Sequence, residues 1–266
     1  MSITPDILVT ARRIAEEHRV RAPFRPLGSA EHAGGEAFAY AVQARYVEIL
    51  LAENIGETVA GYKIGLTTPR MQQMCGIGEP VTGAILATRI RPSGAGLDRA
   101  NFVRLGIECE IAVRIATTPD PAEAEAGPVD LIRSHVDCIA AAFEIIEDRG
   151  ADYRTLDAFS LIADNSWNAG IILGTPVSIS NFVSLQGLEG VLRVDGVEAA
   201  RGSSNDVLGD PGNALAWLVR HLAARGKCLN PGDWVMTGSI VPTQFVAAGR
   251  HVFTVDGLPP VAIDIH

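Results

Sequence analysis

The sequence lacks the marks of several common classes of protein. Its four cysteines, Cys75, Cys109, Cys138 and Cys228, lie far apart and form no CxxC pair, which disfavours a disulfide framework or a thiolate metal site. No apolar stretch approaches the roughly 20 residues that a membrane-spanning helix needs. The N-terminus has neither the basic nor the apolar region of a signal peptide. These absences predict a cytoplasmic protein with buried, reduced thiols.

Positive charge is also scarce and scattered. The net charge is −9, the pI is near 5.2, and no run of basic residues is longer than Arg12-Arg13. Such a balance argues against a surface for nucleic acid or for an anionic membrane. A length of 266 residues suits one large domain with a smaller N-terminal part. We therefore expect a small-molecule partner, with no nucleic acid and no membrane.

Helical patterns come first along the chain and strand patterns follow, which predicts an α+β fold. Thr4-Pro5-Asp6 indicates a helix start, with Thr4 as the N-cap and Asp6 in the first turn. Asp195-Gly196 predicts a β-hairpin. The predicted helices span about 4–18, 36–54, 68–74, 129–135 and 210–226, and the main predicted strands about 58–65, 83–89, 103–116, 138–146, 233–237 and 251–256.

The most informative local feature is a pair of carboxylates, Glu108 and Glu110, inside the apolar stretch 105–115. In a strand, residues i and i+2 share one face, so both carboxylates point the same way. Like charges held so close repel each other unless a cation lies between them, and oxygen ligands suit Mg²⁺ or Mn²⁺. The alternative is an edge strand with a solvated acidic face.

A third acid is needed to complete such a cation site. Glu144 is the best candidate because apolar residues surround it on a predicted strand, where a carboxylate is costly unless it is paired or binds a metal. Glu147 and Asp148, at the end of the same strand, are expected to be more solvated. Three carboxylates together with water suit an octahedral Mg²⁺ site.

Lys63 is a second unusual residue. Gly61 and Gly65 flank it and permit close backbone approach, and its aliphatic neighbours suggest burial. A partly desolvated lysine has a lowered pKa and can act as a general acid or base. The alternative is a strand lysine whose amine extends to solvent.

Together these segments resemble one enzyme group. They are similar, in the same order, to the 2-oxopent-4-enoate (2-hydroxypenta-2,4-dienoate) hydratases and oxalocrotonate decarboxylases of the fumarylacetoacetate hydrolase superfamily. The resemblance covers about residues 4–266. The segments that carry it are Gly61-Tyr-Lys-Ile-Gly-Leu-Thr67, Ile107-Glu-Cys-Glu-Ile-Ala-Val113, Phe143-Glu-Ile-Ile-Glu-Asp-Arg149, Ile162-Ala-Asp-Asn165 and Thr237-Gly-Ser239.

The resemblance implies a mixed β-roll or sandwich over residues 81–266, preceded by a smaller helical part over residues 1–80. It also implies a homo-oligomer that works in the catabolism of aromatic or related compounds. The site residues that it implies are Glu108, Glu110 and Glu144 as ligands of Mg²⁺ or Mn²⁺, Lys63 as the catalytic lysine, and Leu66, Asp164, Asn165 and Ser239 as substrate-binding residues.

The chemistry implied is hydration. A 2-hydroxydienoate presents a carboxylate and a neighbouring oxygen, which a divalent ion can chelate while it stabilises the enolate. Lys63 would transfer the protons that interconvert enol and ketone, and water would add at C4 to give a 4-hydroxy-2-oxoacid. The resemblance thus predicts a metal-dependent hydratase, a lyase.

Three alternatives stay open. A decarboxylase uses the same enolate, and Val81 stands where hydratases of the group usually carry an Asp, a role that Glu79 or Asp164 could take instead. Gly238-Ser239, in contrast, is of the hydratase form. A C–C hydrolase of acylpyruvate-type diketones would need a His and Glu on an early lid, which Glu31-His32 could imitate. A non-catalytic 2-oxoacid-binding protein would have no need of the lysine.

Overall fold

The helices lie mainly in the first third of the chain. The computed structural model describes residues 6–125 and 127–266, so Thr4 and Pro5 of the predicted N-cap lie outside the described residues. Asp6 is itself the N-cap, because its carboxylate accepts the backbone N–H groups of Leu8 and Val9; its predicted place in the first turn was wrong. The helices are α1 (Ile7–Arg19), α2 (Ser29–His32), α3 (Gly35–Glu53), α4 (Pro69–Cys75), α5 (Pro128–His135), α6 (Ala158–Ala163) and α7 (Pro211–Ala223). None of them is long and apolar enough to cross a membrane.

The larger of the two sheets is mixed and has nine strands. Its strands, in spatial order, are β2 (Val81–Leu86), β1 (Val59–Gly65), β11 (Trp234–Ser239), β5 (Leu105–Ile115), β6 (Val136–Glu147), β7 (Asn168–Leu173) and β3 (Ile90–Pro92). Two short strands join it, β12 (Gln244–Phe245) beside β5 and β8 (Val177–Ser178) beside β6. β1 runs parallel to β11, whereas β5 and β6 form a long antiparallel pair.

A second, five-stranded sheet packs against the first. Its order is β10 (Val197–Ser203), β9 (Glu189–Val194), β13 (Gly249–Val255), β14 (Val261–Ile265) and β4 (Ala95–Leu97). The predicted hairpin at Asp195-Gly196 joins β9 to β10, and both turn residues have positive φ, as a two-residue turn of this hand requires. Mixed sheets with a helical N-terminal part confirm the α+β prediction.

The two faces of β5 carry different kinds of residue. Cys109, Ile111 and Val113 lie in the largest buried apolar cluster, which also contains Phe143 of β6 and Phe253 of β13. The alternate residues, including Glu108 and Glu110, therefore point away from this core. The pattern explains how two acids fit within an apolar strand, because the other face buries enough surface to hold the strand in place.

Three details differ from the sequence predictions. β2 ends at Leu86 and a 3₁₀ turn covers Ala87–Arg89, so the predicted strand was three residues too long. α6 and β7 were not predicted, since each has only six residues and gives too short a pattern. Cys228 is exposed, so the prediction of buried thiols was wrong for this cysteine and right for the other three.

The division of the chain at residue 80 stays a prediction. β1 precedes that position, yet it pairs with β2 on one side and β11 on the other. The N-terminal part therefore contributes a strand to the sheet as well as its helices.

Candidate active site

Three carboxylates meet on the face of the β5–β6 pair that is opposite the large apolar cluster. Glu108 and Glu144 are directly opposite each other in the antiparallel register, and Glu110 follows two residues along on the same face. One oxygen of each lies within 4.8 Å of the others. Glu110 and Glu144 are fully buried, whereas Glu108 borders a cleft. The predicted cluster of acids is therefore present in the fold.

Each carboxylate is held by a hydrogen bond from a different element. The backbone N–H of Gly238 donates to Oε2 of Glu110 at 2.8 Å. Nδ2 of Asn168 donates to Oε1 of Glu144 at 2.9 Å, and the hydroxyl of Thr243 donates to Oε1 of Glu108. Because one oxygen of each acid is fixed, the remaining oxygens are oriented before any ligand arrives.

Lys63 lies beside this cluster. Its Nζ is 3.3 Å from Oε2 of Glu144, and its side chain is 5% exposed. The absence of a side chain at Gly65 makes room for the amine, since a Cβ there would lie 3.2 Å from Nζ. Gly61 allows β1 to pack closely on β11, because a Cβ there would lie 1.9 Å from the carbonyl oxygen of Trp234. The predicted close backbone approach and the burial of Lys63 are confirmed.

The electrostatics of the cluster differ from the prediction for the lysine. Burial alone lowers the pKa of Lys63, but the attraction of Glu144, Glu108 and Glu110 outweighs burial, and the net pKa is raised. The predicted lowering was wrong because it considered desolvation without the facing acids. Burial, followed by repulsion from Glu144 and Glu108, holds the pKa of Glu110 well above its usual range. Burial raises the pKa of Glu144 to about 7, against the opposing effect of Lys63.

The donor set fits one hard divalent cation. Oε1 of Glu110 is buried and accepts no hydrogen bond from the residues that the structure describes, and the buried Oε2 of Glu144 has the ion pair with Lys63 in place of a hydrogen bond. Ionisation of all three carboxylates beside one ammonium would leave two negative charges in a buried site, and a divalent ion would balance them. Oxygen-only ligation is typical of Mg²⁺ and Mn²⁺. Glu108, Glu110 and Glu144 are therefore the residues that could hold such an ion.

A cleft of about 530 Å³ opens above the cluster. Lys63 and Glu108 line it from the sheet, and Leu66 and Ser239 line it from the ends of β1 and β11. Leu66 has a φ of 55°, a left-handed conformation that is strained for a leucine and turns the chain from β1 toward α4. The structure thus brings two of the four predicted substrate-binding residues to the cleft.

The other two predicted substrate-binding residues are not among those that line the cleft. Asp164 is 2% exposed and forms an ion pair with Arg149 at 2.6 Å and a contact with His18 of α1. Asn165 donates to the carbonyl of Ala84 and accepts its N–H, which fixes a turn against β2. Both residues position the segment that follows them, and their direct contact with substrate stays a prediction.

The end of β6 is less solvated than predicted. Glu147 and Asp148 are both buried, so the expectation of solvated acids was wrong. Asp148 pairs with Arg104 and accepts the hydroxyl of Tyr153 at 3.1 Å. Glu147 accepts the backbone N–H groups of residues 103, 104 and 149. Partners more than 40 residues away in sequence make this burial possible.

The structure also shows where the residues that bear on the alternative functions lie relative to the cleft. Val81 is fully buried, and its side chain lies next to Lys63 on the same face, because both approach Gly65. Glu79 accepts the indole N–H of Trp217 and does not line the cleft. Glu31 bonds to Thr10 and the N–H of residue 28, and His32 lies near Asp157; neither lines the cleft.

Sequence reasoning missed three polar side chains at the site. Asn168 and Thr243 orient acids, and Tyr153 lines the cleft with its hydroxyl directed to Asp148. Asn168 follows the singled-out Asp164-Asn165 segment by three residues, so an extension of that segment would have included it. Thr243 and Tyr153 carry no local signal.

The fold and the site define a class of α+β proteins with three clustered carboxylates, a donor set that suits a divalent cation, at the base of a cleft. Residues 77–265 match the model of the fumarylacetoacetate (FAA) hydrolase C-terminal family. The chain therefore belongs to the fumarylacetoacetate hydrolase family, as its sequence motifs predicted. The 2-keto-4-pentenoate hydratase of Paraburkholderia phymatum is 32% identical over 252 residues, 94% of each chain. The 4-oxalocrotonate decarboxylase of Pseudomonas putida is 28% identical over 200 residues, 75% of this chain and 74% of that one.

Solved structures agree with the predicted family fold. The 4-oxalocrotonate decarboxylase from Pseudomonas putida G7, complexed with magnesium and adipate, is 25% identical and superposes with a TM-score of 0.85 over 98% of this chain and 97% of that one. A fumarylpyruvate hydrolase from Pseudomonas aeruginosa, in complex with Mn²⁺ and pyruvate, has a TM-score of 0.58 over 77% of this chain and 88% of that one, at 17% identity. The second likeness concerns the fold alone.

Proposed function

We propose that the chain is a metal-dependent hydro-lyase that adds water to a 2-hydroxy-2,4-dienoate and yields a 4-hydroxy-2-oxoacid. The observation that carries the proposal is the contact of Nζ of Lys63 with Glu144, 3.3 Å apart, within a three-carboxylate cluster below a cleft. Its likeness over nearly the whole length to 2-keto-4-pentenoate hydratases supports the same reaction. Enolate chemistry needs this combination of a cation site and a proton-transfer group.

Glu108, Glu110 and Glu144 would hold Mg²⁺ or Mn²⁺, which when bound supplies Lewis-acid stabilisation of the enolate. Lys63 moves the protons. In the first stage the enol hydroxyl loses its proton and C5 gains one, giving the conjugated 2-oxo-3-enoate. Water then bonds to C4 and gives up one proton, and C3 gains one proton, which restores the ketone. The buried position of Lys63 keeps its Nζ directed to the cluster.

Decarboxylation of a 2-oxo-3-enedioate is the second candidate. Val81 favours it, because an aliphatic side chain beside Lys63 supplies no carboxylate to activate water. The enolate is common to both reactions, so the cation site and Lys63 serve either one. The C–C hydrolase is not proposed, since Glu31 and His32 do not line the cleft.

The product formed by the purified protein tests the proposal. 2-Hydroxypenta-2,4-dienoate and 2-oxohex-3-enedioate are supplied separately, with Mg²⁺ and with EDTA, and the molecular mass of each product is measured by mass spectrometry. A gain of one water that needs the metal supports the hydratase. Loss of carbon dioxide from the dioate, without hydration of the dienoate, replaces it with the decarboxylase.

The choice between Mg²⁺ and Mn²⁺, a homo-oligomeric assembly and a cytoplasmic location are further parts of the proposal. Three carboxylates bind both ions. Activity titrations with each ion, and the mass of the native protein by light scattering, test the first two. The binding partner that the proposal gives to the protein is its small-molecule substrate, a 2-oxo or 2-hydroxy acid.

A further inference from the structure

The cleft is larger and more apolar than the proposed reaction alone requires. Its volume of about 530 Å³ falls in the range that encloses ligands of drug size, whereas the simplest dienoate has five carbons. The reacting part of such an acid needs only the acids and Lys63. The remaining volume needs another explanation.

Apolar side chains surround that remaining volume. Leu66, Leu156, Leu161 and Trp167 line the cleft and belong to one buried cluster, on whose edge Met71 packs. Leu66 directly follows β1 and Met71 stands on α4, whereas the others stand on the segment after β6, on α6 and on the turn before β7. None of them is on β5 or β6, the strands that carry the acids. Among these side chains only the indole N–H of Trp167, which has no partner among the described residues, could donate to a carboxylate placed there, and one donor does not replace the hydration of a carboxylate.

α4 contributes an adaptable rim. Met71 and Met74 both line the cleft, and Met74 is 40% exposed although it is large and apolar. Methionine side chains are flexible and polarizable, and exposed methionines are typical of surfaces that bind apolar groups of varied shape. Half of the four methionines of the chain therefore stand on one wall of one cleft.

The turn that carries Trp167 is held in a strained conformation. Asn165, Ser166 and Trp167 are three consecutive residues with positive φ, between 48° and 60°. Such strain persists only where surrounding contacts enforce it. Here the hydroxyl of Ser166 donates to the carbonyl of Thr82, and Asn165 is fixed to β2. The indole is thus presented to the cleft at an energetic cost.

We infer that the substrate carries an apolar substituent, alkyl or aryl, on the terminal carbon of the dienoate, and that Met71, Met74, Leu156 and Trp167 bind it. This inference rests on the proposed function and names its substrate class. The competing occupant of the same wall is a second carboxylate, for which Arg70 is the available cation: it lines the cleft, and the described residues contain no ion-pair partner for it within 4 Å.

A substrate series tests the inference. The Mg²⁺-loaded protein is given the unsubstituted dienoate, its C5-methyl, propyl and phenyl derivatives, and a dioate of matching length. Each buried methylene is expected to raise kcat/KM by about fourfold, from its transfer free energy. In Met74→Gln the ratio of propyl to unsubstituted substrate falls severalfold. Gln73→Ala, an exposed neighbour that does not line the cleft, keeps that ratio.

The outcomes separate the inference from the proposed function. No gain from the alkyl series, or a preference for the dioate that Arg70→Gln abolishes, overturns the inference while hydration stands. If no dienoate gains water, the proposed function fails. Calorimetric binding of saturated 2-oxoacids with short and long tails then still measures the apolar wall: tighter binding of longer tails supports it, and equal binding overturns it.

Discussion

Replacement of Lys63 by methionine separates proton transfer from the other functions of the site. Methionine keeps much of the apolar stem and removes the charge. At 3.3 Å, and at the effective dielectric constant of about 20 that suits protein sites, Lys63 and Glu144 attract each other by about 5 kcal/mol before desolvation is subtracted. Without that attraction, the pKa of Glu144 rises further and a proton competes with the metal.

The same change also removes a positive charge that repels the incoming cation, so the two effects on metal affinity oppose each other. We expect Mg²⁺ binding at pH 8 to change by less than about tenfold, since the two effects are of similar origin. Turnover should fall by about a hundred- to ten-thousand-fold, which is the usual contribution of a general acid–base group.

The assay pairs calorimetric titration of Mg²⁺ with turnover of the dienoate. Lys227→Met is the matched control, because Lys227 is the only other lysine in the chain and is exposed. Turnover within a few-fold of wild type in Lys63→Met would refute the proton-transfer role. Loss of Mg²⁺ binding together with turnover would assign Lys63 to holding the acids instead.

Three further predictions concern the acids and the scaffold. Glu144→Gln should lose metal-dependent turnover and weaken Mg²⁺ binding while the circular dichroism spectrum is kept; Asp137→Asn, a surface change, should do neither. Because the folded-state pKa values of Glu144 and Glu110 are raised, the metal-free fold binds more protons than the unfolded chain. The contribution of these two groups to the free energy of unfolding should be greatest below about pH 4.5 and should fall as the pH rises through about 7. Saturating Mg²⁺ should remove that decline in thermal melts. Asp164→Leu leaves the buried Arg149 without its 2.6 Å partner and should cost about 3–5 kcal/mol in urea unfolding.

The strand that carries Glu108 and Glu110 could be predicted in detail because its evidence is local. Alternation along β5 requires that residues 108 and 110 share a face, and the long apolar run requires that the other face be buried. Glu144 was predictable for the same reason, as an acid enclosed by apolar neighbours. Their pairing across β5 and β6 then follows from the antiparallel register.

Features that depend on distant partners were not predictable in this way. Asp148 is buried because Arg104, 44 residues earlier, pairs with it. The sequence pattern around Asp148 does not predict that partner. The raised pKa of Lys63 depends on three acids brought in by other strands, so the reasoning from burial alone had the wrong sign. Thr243 reaches Glu108 from a loop that follows β11.

Asp164 belongs to a motif whose place beside the site followed from the sequence, whereas its buried contacts did not. The segment that contains it borders the site, since Ser166 and Trp167 line the cleft. Asp164 itself bonds to Arg149 and His18 and so ties α1 to this segment. A contribution to the site through the positioning of Trp167 agrees with these contacts.

Incorporation of labelled oxygen from heavy-oxygen water tests the central claim most directly. The metal-loaded protein is incubated with 2-hydroxypenta-2,4-dienoate in that water, and the product is analysed for label at C4. The account predicts one labelled hydroxyl at C4, formed with Mg²⁺ or Mn²⁺ and absent with EDTA or in Glu144→Gln. Label at C4 that forms equally well without metal, or turnover that leaves C4 unlabelled, would contradict it.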